Sequence, residues 1–258
     1  MFNLEDKVVV VTGGAGRIGS SFIEGIIQNN GIAIIAEIDI NRGLEIREKI
    51  QKKFIDAKIE VIELDITSAE SVNKLIKVLD GKYGRIDAVV NNAYPKNKNF
   101  GKKFFDINYD DFSAFSNLHI AGYFNVSQQF IKYFLKQGYG NIINISSIQG
   151  VSAPAFETYD GTDMHSPIEY TVVKTGLIGM TKYMAKMFKK DNIRVNVICP
   201  GGILDGQPEV FLNQYKNRCG TKGMLDADDL VGSLVYLLSD ESKYVNGHSL
   251  VVDDGFVL

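Results

Sequence analysis

The sequence has no tryptophan and little cysteine, proline or histidine. Its 258 residues include two cysteines, five prolines and three histidines. The two cysteines, Cys199 and Cys219, are too few for a disulfide framework. Cys199 lies in an apolar run, so we predict that it is a reduced core residue. No metal site is predicted.

Long apolar runs and a strong excess of charge are also absent. No apolar stretch approaches the roughly 18 residues that a bilayer-spanning helix needs. The start, MFNLEDK, lacks the basic region and apolar core of a signal peptide. The net charge of -3 and the pI of about 5.7 do not suggest a nucleic-acid partner, which usually requires a basic surface. We therefore expect a cytoplasmic protein with neither a membrane nor a nucleic-acid partner.

Short runs rich in valine and isoleucine alternate with longer segments of helical spacing. Nearly continuous apolar runs suit parallel strands that are buried on both faces. Strands are predicted at 7–12, 32–38, 58–64, 86–91, 140–146, 193–199 and 248–252, and helices at 17–30, 68–80, 109–136, 168–190 and 226–239. This order predicts one α/β domain: a Rossmann-like, doubly wound parallel sheet of about seven strands with helices on both faces.

A glycine-rich stretch, TGGAGRIG at 12–19, follows the first predicted strand and opens the first predicted helix. Gly13 suits the tight turn, Gly16 lets the backbone approach a phosphate, and Gly19 lets the helix pack close to the strand. The N–H groups at the helix start would then face the pyrophosphate of a dinucleotide. The predicted cofactor contacts here are Gly13, Gly16, Arg17, Ile18 and Gly19.

The end of the second predicted strand bears on the choice of cofactor. Glu37 lies 18 positions after Gly19, about where an acidic residue binds the ribose hydroxyls of NAD. Its charge would repel a 2′-phosphate, so NAD(H) is favoured. Asp39 is the next candidate for this role, and a helix-capping role fits it equally well. Arg17 is the argument for NADP(H), which stays the alternative.

Polar motifs stand at the ends of several predicted strands, where open parallel sheets bind ligands. NNAY at 91–94 ends one strand, and the serines Ser146 and Ser147 end another. Tyr170 and Lys174 are four apart at the start of a predicted helix, which places them on one face. A lysine beside a tyrosine favours the phenolate, which suits a general acid or base.

Together these motifs resemble the short form of the short-chain dehydrogenase/reductase family, over nearly the whole chain. The matching stretches are TGGAGRIG at 12–19, LDIT at 64–67, NNA at 91–93, SS at 146–147, YTVVK at 170–174, RVNVICPGGI at 194–203 and GHSLVVDDG at 247–255. The resemblance implies that Tyr170 exchanges a proton with the substrate oxygen, Lys174 lowers its pKa and binds the nicotinamide ribose, and Ser147 orients the substrate oxygen. The further cofactor contacts that it implies are Asp65, Ile66, Asn91, Ala93, Pro200, Gly201 and Ile203.

The chain departs from the family pattern at three places. Its glycines follow Gly-x-x-Gly-x-x-Gly spacing, with Arg17 at the second family glycine position. His119 stands where the family usually has an asparagine that holds a water in a proton relay; histidine could substitute there, and a buried structural histidine is the other reading. An insert at about 150–167 separates Ser147 from Tyr170. Tyr159 lies nearer the usual distance but lacks the lysine four residues later.

Three polar segments bear on the substrate. The loop PKNKNFGKK at 95–103 carries Lys96, Lys98, Lys102 and Lys103, which could attract an anion or lie solvated. A substrate lid is expected at about 203–222, with a polar sequence like that of the insert. These segments favour a carbohydrate-like or phosphorylated small molecule. The insert and lid also resemble dehydrogenases of surface-sugar and flagellin-modification pathways.

The sequence thus predicts hydride transfer between NAD(H) and a secondary alcohol or ketone on a polar substrate. A 3-oxoacyl carrier-protein reductase that uses NADPH is one alternative, and a non-catalytic dinucleotide-sensing protein is another. A homotetramer is expected, because the helices at 109–136 and 168–190 carry apolar residues on more than one side.

Overall fold

The computed structural model describes residues 2–95 and 98–258, and its centre is a seven-stranded sheet. All paired strands run parallel, in the spatial order β3-β2-β1-β4-β5-β6-β7. The strands are β1 (Val8–Thr12), β2 (Ile32–Glu37), β3 (Ile59–Glu63), β4 (Ala88–Asn91), β5 (Gly140–Ile145), β6 (Ile193–Pro200) and β7 (Ser249–Val252). The predicted fold class and strand number are confirmed.

Eight α-helices are found in the described part of the chain. They are α1 (Arg17–Gln28), α2 (Ile40–Lys53), α3 (Ala69–Tyr83), α4 (Tyr109–Ser116), α5 (Gly122–Gln137), α6 (Ile168–Met187), α7 (Glu209–Lys216) and α8 (Val231–Leu238). The prediction missed α2 and α7. In α2 only Gly43 and Ile50 are fully buried, so its apolar stripe is narrow. Among the described residues, none of the helices is both long and apolar enough for a membrane span.

Side chains of each strand point alternately to two separate cores. Val8 and Val10 of β1 face one core, and Val9 and Val11 face the other. The first core is closed by α3, α5 and α6, and the second by α1 and α8 with Ile50 of α2. Because the sheet is covered on both faces, its strands can be almost wholly apolar, as the sequence shows.

The carboxyl ends of β1 and β4 meet where the strand order reverses. The Thr12 hydroxyl accepts hydrogen bonds from the backbone N–H of Asn92 at 3.0 Å and of Ala93 at 3.1 Å. It donates to the Val90 carbonyl at 3.3 Å. This single side chain therefore fixes the two strand ends side by side at the crevice where such sheets bind ligands.

The helix predicted over 109–136 is interrupted in its middle. A π-helical segment, Asn117–Ala121, separates α4 from α5 while the chain continues in one direction. Such single π turns re-aim the side chains at the point of insertion and are frequent at functional sites. Here the re-aimed residue is His119, which is fully buried.

The insert (residues 150–167) and the segment expected as a lid (residues 203–222, called the lid below) both contribute to a third, smaller cluster at the carboxyl edge of the sheet. The cluster contains Ile148, Phe211, Tyr215, Met224 and Phe256, with Tyr159 and Met164 packed against it. The lid contains α7, and the Gln214 amide of α7 donates to the Asp160 carbonyl at 2.8 Å. The insert and the lid therefore pack against each other.

Replacing Gly19 by alanine should destabilise the fold, because an added Cβ would lie 2.3 Å from the Gly13 carbonyl oxygen and 2.9 Å from Gly14 Cα. Both neighbours are backbone, so the first turn of α1 must shift. We expect Gly19→Ala to lower the free energy of unfolding by about 1–3 kcal/mol, the usual cost of overpacking.

Urea unfolding measures this loss, and Gly81→Ala is the matched control. Gly81 lies in α3 with nothing within 4 Å of an added Cβ. There alanine should stabilise by up to about 0.5–1 kcal/mol through helix propensity. A Gly19→Ala protein as stable as the native chain would contradict the close packing of α1 on β1.

Candidate active site

A cleft of about 750 Å³ runs along the carboxyl edge of the sheet. One end is bordered by the glycine-rich loop and Glu37, the centre by Ser147, Tyr170 and Lys174, and the other end by the insert, the lid and the C-terminal residues. Eleven of the predicted site residues line it: Gly13, Gly16, Arg17, Ile18, Glu37, Ser147, Tyr170, Lys174, Pro200, Gly201 and Ile203. The cleft joins the predicted cofactor and catalytic positions.

The glycine-rich loop has the shape of an anion cradle. Gly13 adopts a φ of 62°, a conformation that favours glycine, and its N–H donates to the Ala36 carbonyl at 2.8 Å. Gly16 is the N-cap of α1 and offers no side-chain cap, so the first-turn N–H groups keep their capacity to donate to a ligand. The residues present therefore fit the pyrophosphate of a dinucleotide.

Glu37 is buried at the end of β2 and lines the cleft beside this loop. One carboxylate oxygen accepts from the Ala15 N–H at 3.2 Å, and the other accepts from the Ile38 N–H at 3.0 Å. Each oxygen retains lone-pair capacity, so the carboxylate can accept hydrogen bonds from two hydroxyl groups of a bound ribose.

Two arginines, Arg17 and Arg42, line the cleft at the same end as Glu37. Arg17 extends across to the start of the lid, where its guanidinium pairs with the Asp205 carboxylate and donates to the Leu204 carbonyl at 2.9 Å. Arg42 lines the cleft on α2. The cation expected to favour a 2′-phosphate is thus already paired with a carboxylate.

Two hydrogen bonds join the end of β5 to the first half of α6, one donated from each segment. The Ser146 hydroxyl donates to the Lys174 carbonyl at 2.7 Å, while the Lys174 ammonium donates to the Ile145 carbonyl at 3.0 Å. A Cβ on Gly150 would lie 2.7 Å from the Lys174 carbonyl oxygen, so α6 approaches the strand end as closely as glycine allows. Ser146 is therefore structural, and Ser147 is left for the cleft.

Tyr170 and Lys174 have pKa values displaced by their surroundings. Burial raises the pKa of Tyr170, and a hydrogen bond with the Ser147 hydroxyl partly opposes that rise. Burial lowers the pKa of Lys174 to about 8. The Lys174 ammonium lies 5.5 Å from the centre of the Tyr170 ring, so in this structure the cation stands beside the phenol without bonding to its oxygen.

His119 lies behind these residues and is not among those lining the cleft. Its Nε2 is 2.7 Å from the Pro95 carbonyl oxygen, so this nitrogen carries the hydrogen. Burial, aided by the Lys174 charge, lowers the pKa of His119 to about 3. The imidazole is thus neutral, and within the described residues its buried Nδ1 has no hydrogen-bond partner.

Tyr94 was not predicted as a site residue, yet its ring lies near His119, Tyr170 and Lys174. Its ring centre is 4.7 Å from that of His119 and 5.9 Å from that of Tyr170. The Lys174 ammonium lies 5.4 Å from the Tyr94 ring centre, a cation–π distance. The motif NNAY contained this tyrosine, but only the fold reveals what its ring faces.

Five predicted cofactor residues do not line the cleft: Gly19, Asp65, Ile66, Asn91 and Ala93. The Asn91 side chain points into the core, where it donates to Ser127 at 3.0 Å and Asn144 at 2.9 Å. Its neighbour Asn92 lines the cleft instead. The Asp65 carboxylate accepts from the Thr67 N–H and hydroxyl, at 2.8 and 2.6 Å.

The substrate end of the cleft is more apolar than the sequences of its walls indicated. Met164 of the insert, Phe211 and Tyr215 of the lid, Met224 and Phe256 all line it. Polar side chains such as Glu157 and Arg218 form an ion pair on the outer surface. Tyr159 lines the cleft with its ring 5.2 Å from that of Phe211, and burial raises its pKa.

The lysine-rich loop contributes little to the described cleft. Lys96 lies outside the described residues, and Lys98, Lys102 and Lys103 are not among the lining residues. The Lys102 ammonium pairs with the Asp111 carboxylate at 2.5 Å. A polar residue that the prediction missed is Gln149, two positions after Ser147 on the cleft wall. Its proximity to the serine pair was the signal available in the sequence.

Comparison with known proteins gives a consistent result. A family model described as enoyl-(acyl carrier protein) reductase matches residues 26–257. The chain is 46% identical over 256 residues to the post-translational flagellin modification protein A of Campylobacter coli, covering 99% of this chain and 100% of that one. It is 30% identical to a 3-oxoacyl-[acyl-carrier-protein] reductase of Thermotoga maritima, covering 99% of each.

A solved structure agrees with these sequence matches. The short chain dehydrogenase of Leptospira borgpetersenii with bound NAD+ superposes with a TM-score of 0.85 at 29% identity, covering 99% of this chain and 94% of that one. The chain belongs to the short-chain dehydrogenase/reductase family of NAD(P)-binding oxidoreductases, which act on CH–OH or carbonyl groups.

Proposed function

We propose that this protein transfers a hydride between NAD(H) and a secondary alcohol or ketone on a polar, carbohydrate-like small molecule. The observation that carries the proposal is the arrangement of Ser147, Tyr170 and Lys174 on one wall of the cleft, next to a glycine-rich loop shaped for a pyrophosphate.

The catalytic residues divide the work on the substrate oxygen. Ser147 and Tyr170 hydrogen-bond to that oxygen and hold it against the wall of the cleft. In ketone reduction Tyr170 donates the proton to the oxygen, and in alcohol oxidation the phenolate takes it. A nicotinamide cofactor held by the glycine-rich loop would supply or accept the hydride at the carbon. Burial by itself raises the pKa of Tyr170 and so disfavours the phenolate. The Ser147 hydroxyl and the nearby Lys174 cation are therefore needed to stabilise the phenolate.

His119 enters the proposal as a hydrogen-bond acceptor in the proton relay behind Lys174. An imidazole with a pKa of about 3 does not carry a second proton at neutral pH, so His119 does not act as an imidazolium acid. Its Nδ1 can accept a hydrogen bond from a water held near the Lys174 ammonium. The neutral ring also avoids adding a second cation next to a lysine whose own pKa is already lowered by burial.

The preference for NAD(H) is supported by Glu37 and by the pairing of Arg17. The carboxylate stands where a ribose diol would be bound, and it opposes a 2′-phosphate by like charge. Arg17 is engaged by Asp205 and the Leu204 carbonyl, which reduces its availability for a phosphate. NADP(H) remains the alternative cofactor because Arg42 also borders this end of the cleft.

The carbohydrate-like substrate is supported by the mixture of polar and apolar groups at the far end of the cleft. Gln149, Tyr159 and Ser166 provide polar atoms, and Phe211 and Met224 provide an apolar wall. The described residues give no support for a phosphate group, since the lysines of 98–103 lie off the cleft. The 46% identical relative is named for post-translational modification of flagellin, and we propose a role for this chain in the same kind of process.

Two alternatives remain distinct from this proposal. A carrier-protein reductase is supported by the 30% identical relative of that name and by the apolar inner wall. Reduction of an acetoacetyl thioester with NADPH, faster than that of any sugar substrate, would favour it. A non-catalytic dinucleotide sensor would bind NADH without turnover; the intact Ser147, Tyr170 and Lys174 arrangement argues against it.

We further propose a homotetramer formed through the faces of α5 and α6. These helices leave large apolar side chains exposed in the single chain: Phe124, Leu135, Val172, Tyr183 and Met187. Exposed apolar faces of this kind are typical of association surfaces. Light scattering at micromolar concentration should give a mass about four times the 28.6 kDa of one chain. A monomeric mass would reject the proposal.

Tyr170→Phe tests the assignment of the acid and base. The change removes the proton donor while keeping the ring, so turnover should fall by at least about two orders of magnitude. NADH binding, followed by fluorescence, should stay near the native value. Activity is measured on the substrate found by screening neutral, phosphorylated and nucleotide-linked sugars with NAD+.

Two control variants complete this test. Tyr244→Phe changes a tyrosine that is 90% exposed and should leave activity unchanged. Tyr159→Phe keeps the ring packing on Phe211 and should retain catalysis. If Tyr170→Phe stays active and Tyr159→Phe does not, Tyr159 is the catalytic tyrosine.

Glu37→Ser tests the cofactor preference. Removal of the carboxylate abolishes both the ribose hydrogen bonds and the repulsion of a 2′-phosphate. In a partly solvated site this repulsion corresponds to about tenfold to a hundredfold in affinity. Fluorescence titrations should therefore show that the native protein prefers NADH over NADPH and that the variant loses much of this preference. Tighter binding of NADPH by the native protein would overturn the NAD(H) proposal.

A further inference from the structure

Gln149 occupies a distinctive position on the cleft wall. It belongs to the 3-10 turn Ile148–Gly150, directly after the catalytic serine, and its backbone N–H donates to the Ser147 hydroxyl oxygen at 3.2 Å. The side chain is half-buried and lines the cleft. The amide therefore leaves the same turn as the hydroxyl that holds the substrate oxygen.

Two hydroxyl groups fix the amide of Gln149. Its Oε1 accepts from the Ser166 hydroxyl at 2.8 Å and from the Thr171 hydroxyl at 3.0 Å. Ser166 belongs to the insert and Thr171 to α6, so the amide is held from two separate segments. The Tyr159 hydroxyl lies close to both Ser166 and Gln149.

This arrangement determines which end of the amide is available. Oε1 accepts the Ser166 and Thr171 hydroxyls, and a hydrogen bond from the Gln149 side chain to the Tyr159 hydroxyl oxygen suits only the Nε2 end of the amide. Oε1 thus has both lone pairs used. One N–H of Nε2 therefore serves the Tyr159 hydroxyl, and the second N–H is what the side chain can offer to a ligand.

We propose that Gln149 is a specificity-determining residue whose Nε2 donates a hydrogen bond to an oxygen substituent near the reacting carbon. This inference rests on the proposed function and narrows its substrate to α-hydroxy ketones and the corresponding vicinal diols. Such a substrate presents one oxygen to Ser147 and Tyr170 and a second oxygen to Gln149. The apolar wall of Phe211 and Met224 offers no such donor, so Gln149 also sets the orientation of the bound molecule.

A purely structural role for Gln149 makes a different prediction. If the amide served only to join the insert to α6, Oε1 and its two hydroxyl donors would be the whole of its function. Gln149→Glu keeps an oxygen for Ser166 and Thr171 but removes the N–H donor. Gln149→Met removes both and keeps the length of the side chain. Comparing the two variants separates the role of the N–H donor from the structural role of Oε1 in joining the insert to α6.

The probes are 1-hydroxypropan-2-one and butan-2-one, which differ by a hydroxyl in place of a methyl group. Saturation-transfer NMR on the NAD+ complex measures their binding without turnover, since neither ketone is reduced there. Initial rates of NADH oxidation give kcat/KM for the same two ketones. The native protein should bind 1-hydroxypropan-2-one more tightly than butan-2-one and reduce it with a higher kcat/KM. In both variants the affinity and kcat/KM for 1-hydroxypropan-2-one should fall about tenfold, the scale of one neutral hydrogen bond, while those for butan-2-one stay nearly constant.

The outcomes separate this inference from the proposed function. A Gln149→Glu protein that handles 1-hydroxypropan-2-one like the native protein overturns the inference, as does an equal loss for both ketones in Gln149→Met. Selective loss of binding in the NAD+ complex supports the inference. The selective loss of binding can occur while NADH oxidation fails with both ketones. In that case the role of Gln149 as a hydrogen-bond donor is supported, and the proposed hydride transfer is not.

Discussion

The reciprocal hydrogen bonding between the end of β5 and the start of α6 is the constraint on which the site depends. Ser146 donates to the Lys174 carbonyl and Lys174 donates to the Ile145 carbonyl, so neither segment can slide without breaking both bonds. Gly150 removes the side chain that would otherwise hold them apart. Because this contact fixes the helix register, it also fixes Tyr170, one helical turn earlier, against Ser147. The proposed catalytic geometry is thus a consequence of helix docking.

That docking requires the burial of a lysine, which is unfavourable by itself. Lys174 is only 4% exposed, and the lowering of its pKa to about 8 reflects the cost of keeping a cation away from water. Two features of the surroundings offset part of that cost: the Ile145 carbonyl and the π face of Tyr94. A third group, His119, stays neutral, which avoids a repulsive second charge. The environment thus keeps a charge available beside the Tyr170 phenol at the expense of stability.

Features that depend on local sequence were predictable. The direction in which an individual side chain points in the folded protein was not. The apolar runs located all seven strands, since a doubly covered parallel sheet demands nearly continuous burial. The motifs located the serine pair, Tyr170 and Lys174 on one wall. Helix α2 was missed because Gly43 and Ile50 are its only fully buried residues. Asn91 was assigned to the cofactor, yet alternation along β4 turns its side chain into the core and presents Asn92 to the cleft.

The same distinction explains why the composition of the insert and lid was misleading. Their sequences are polar, but a segment that lies between solvent and a cleft has two faces, and composition averages them. Tyr159 and Phe211 turn inward, while Glu157 and Arg218 pair outside. The inner face is therefore apolar apart from a few polar atoms held in fixed orientation, as those of Gln149 are by Ser166 and Thr171. In such a site selectivity resides in the few groups that an apolar wall cannot replace, because a substrate lacking their partner leaves them desolvated and unpaired.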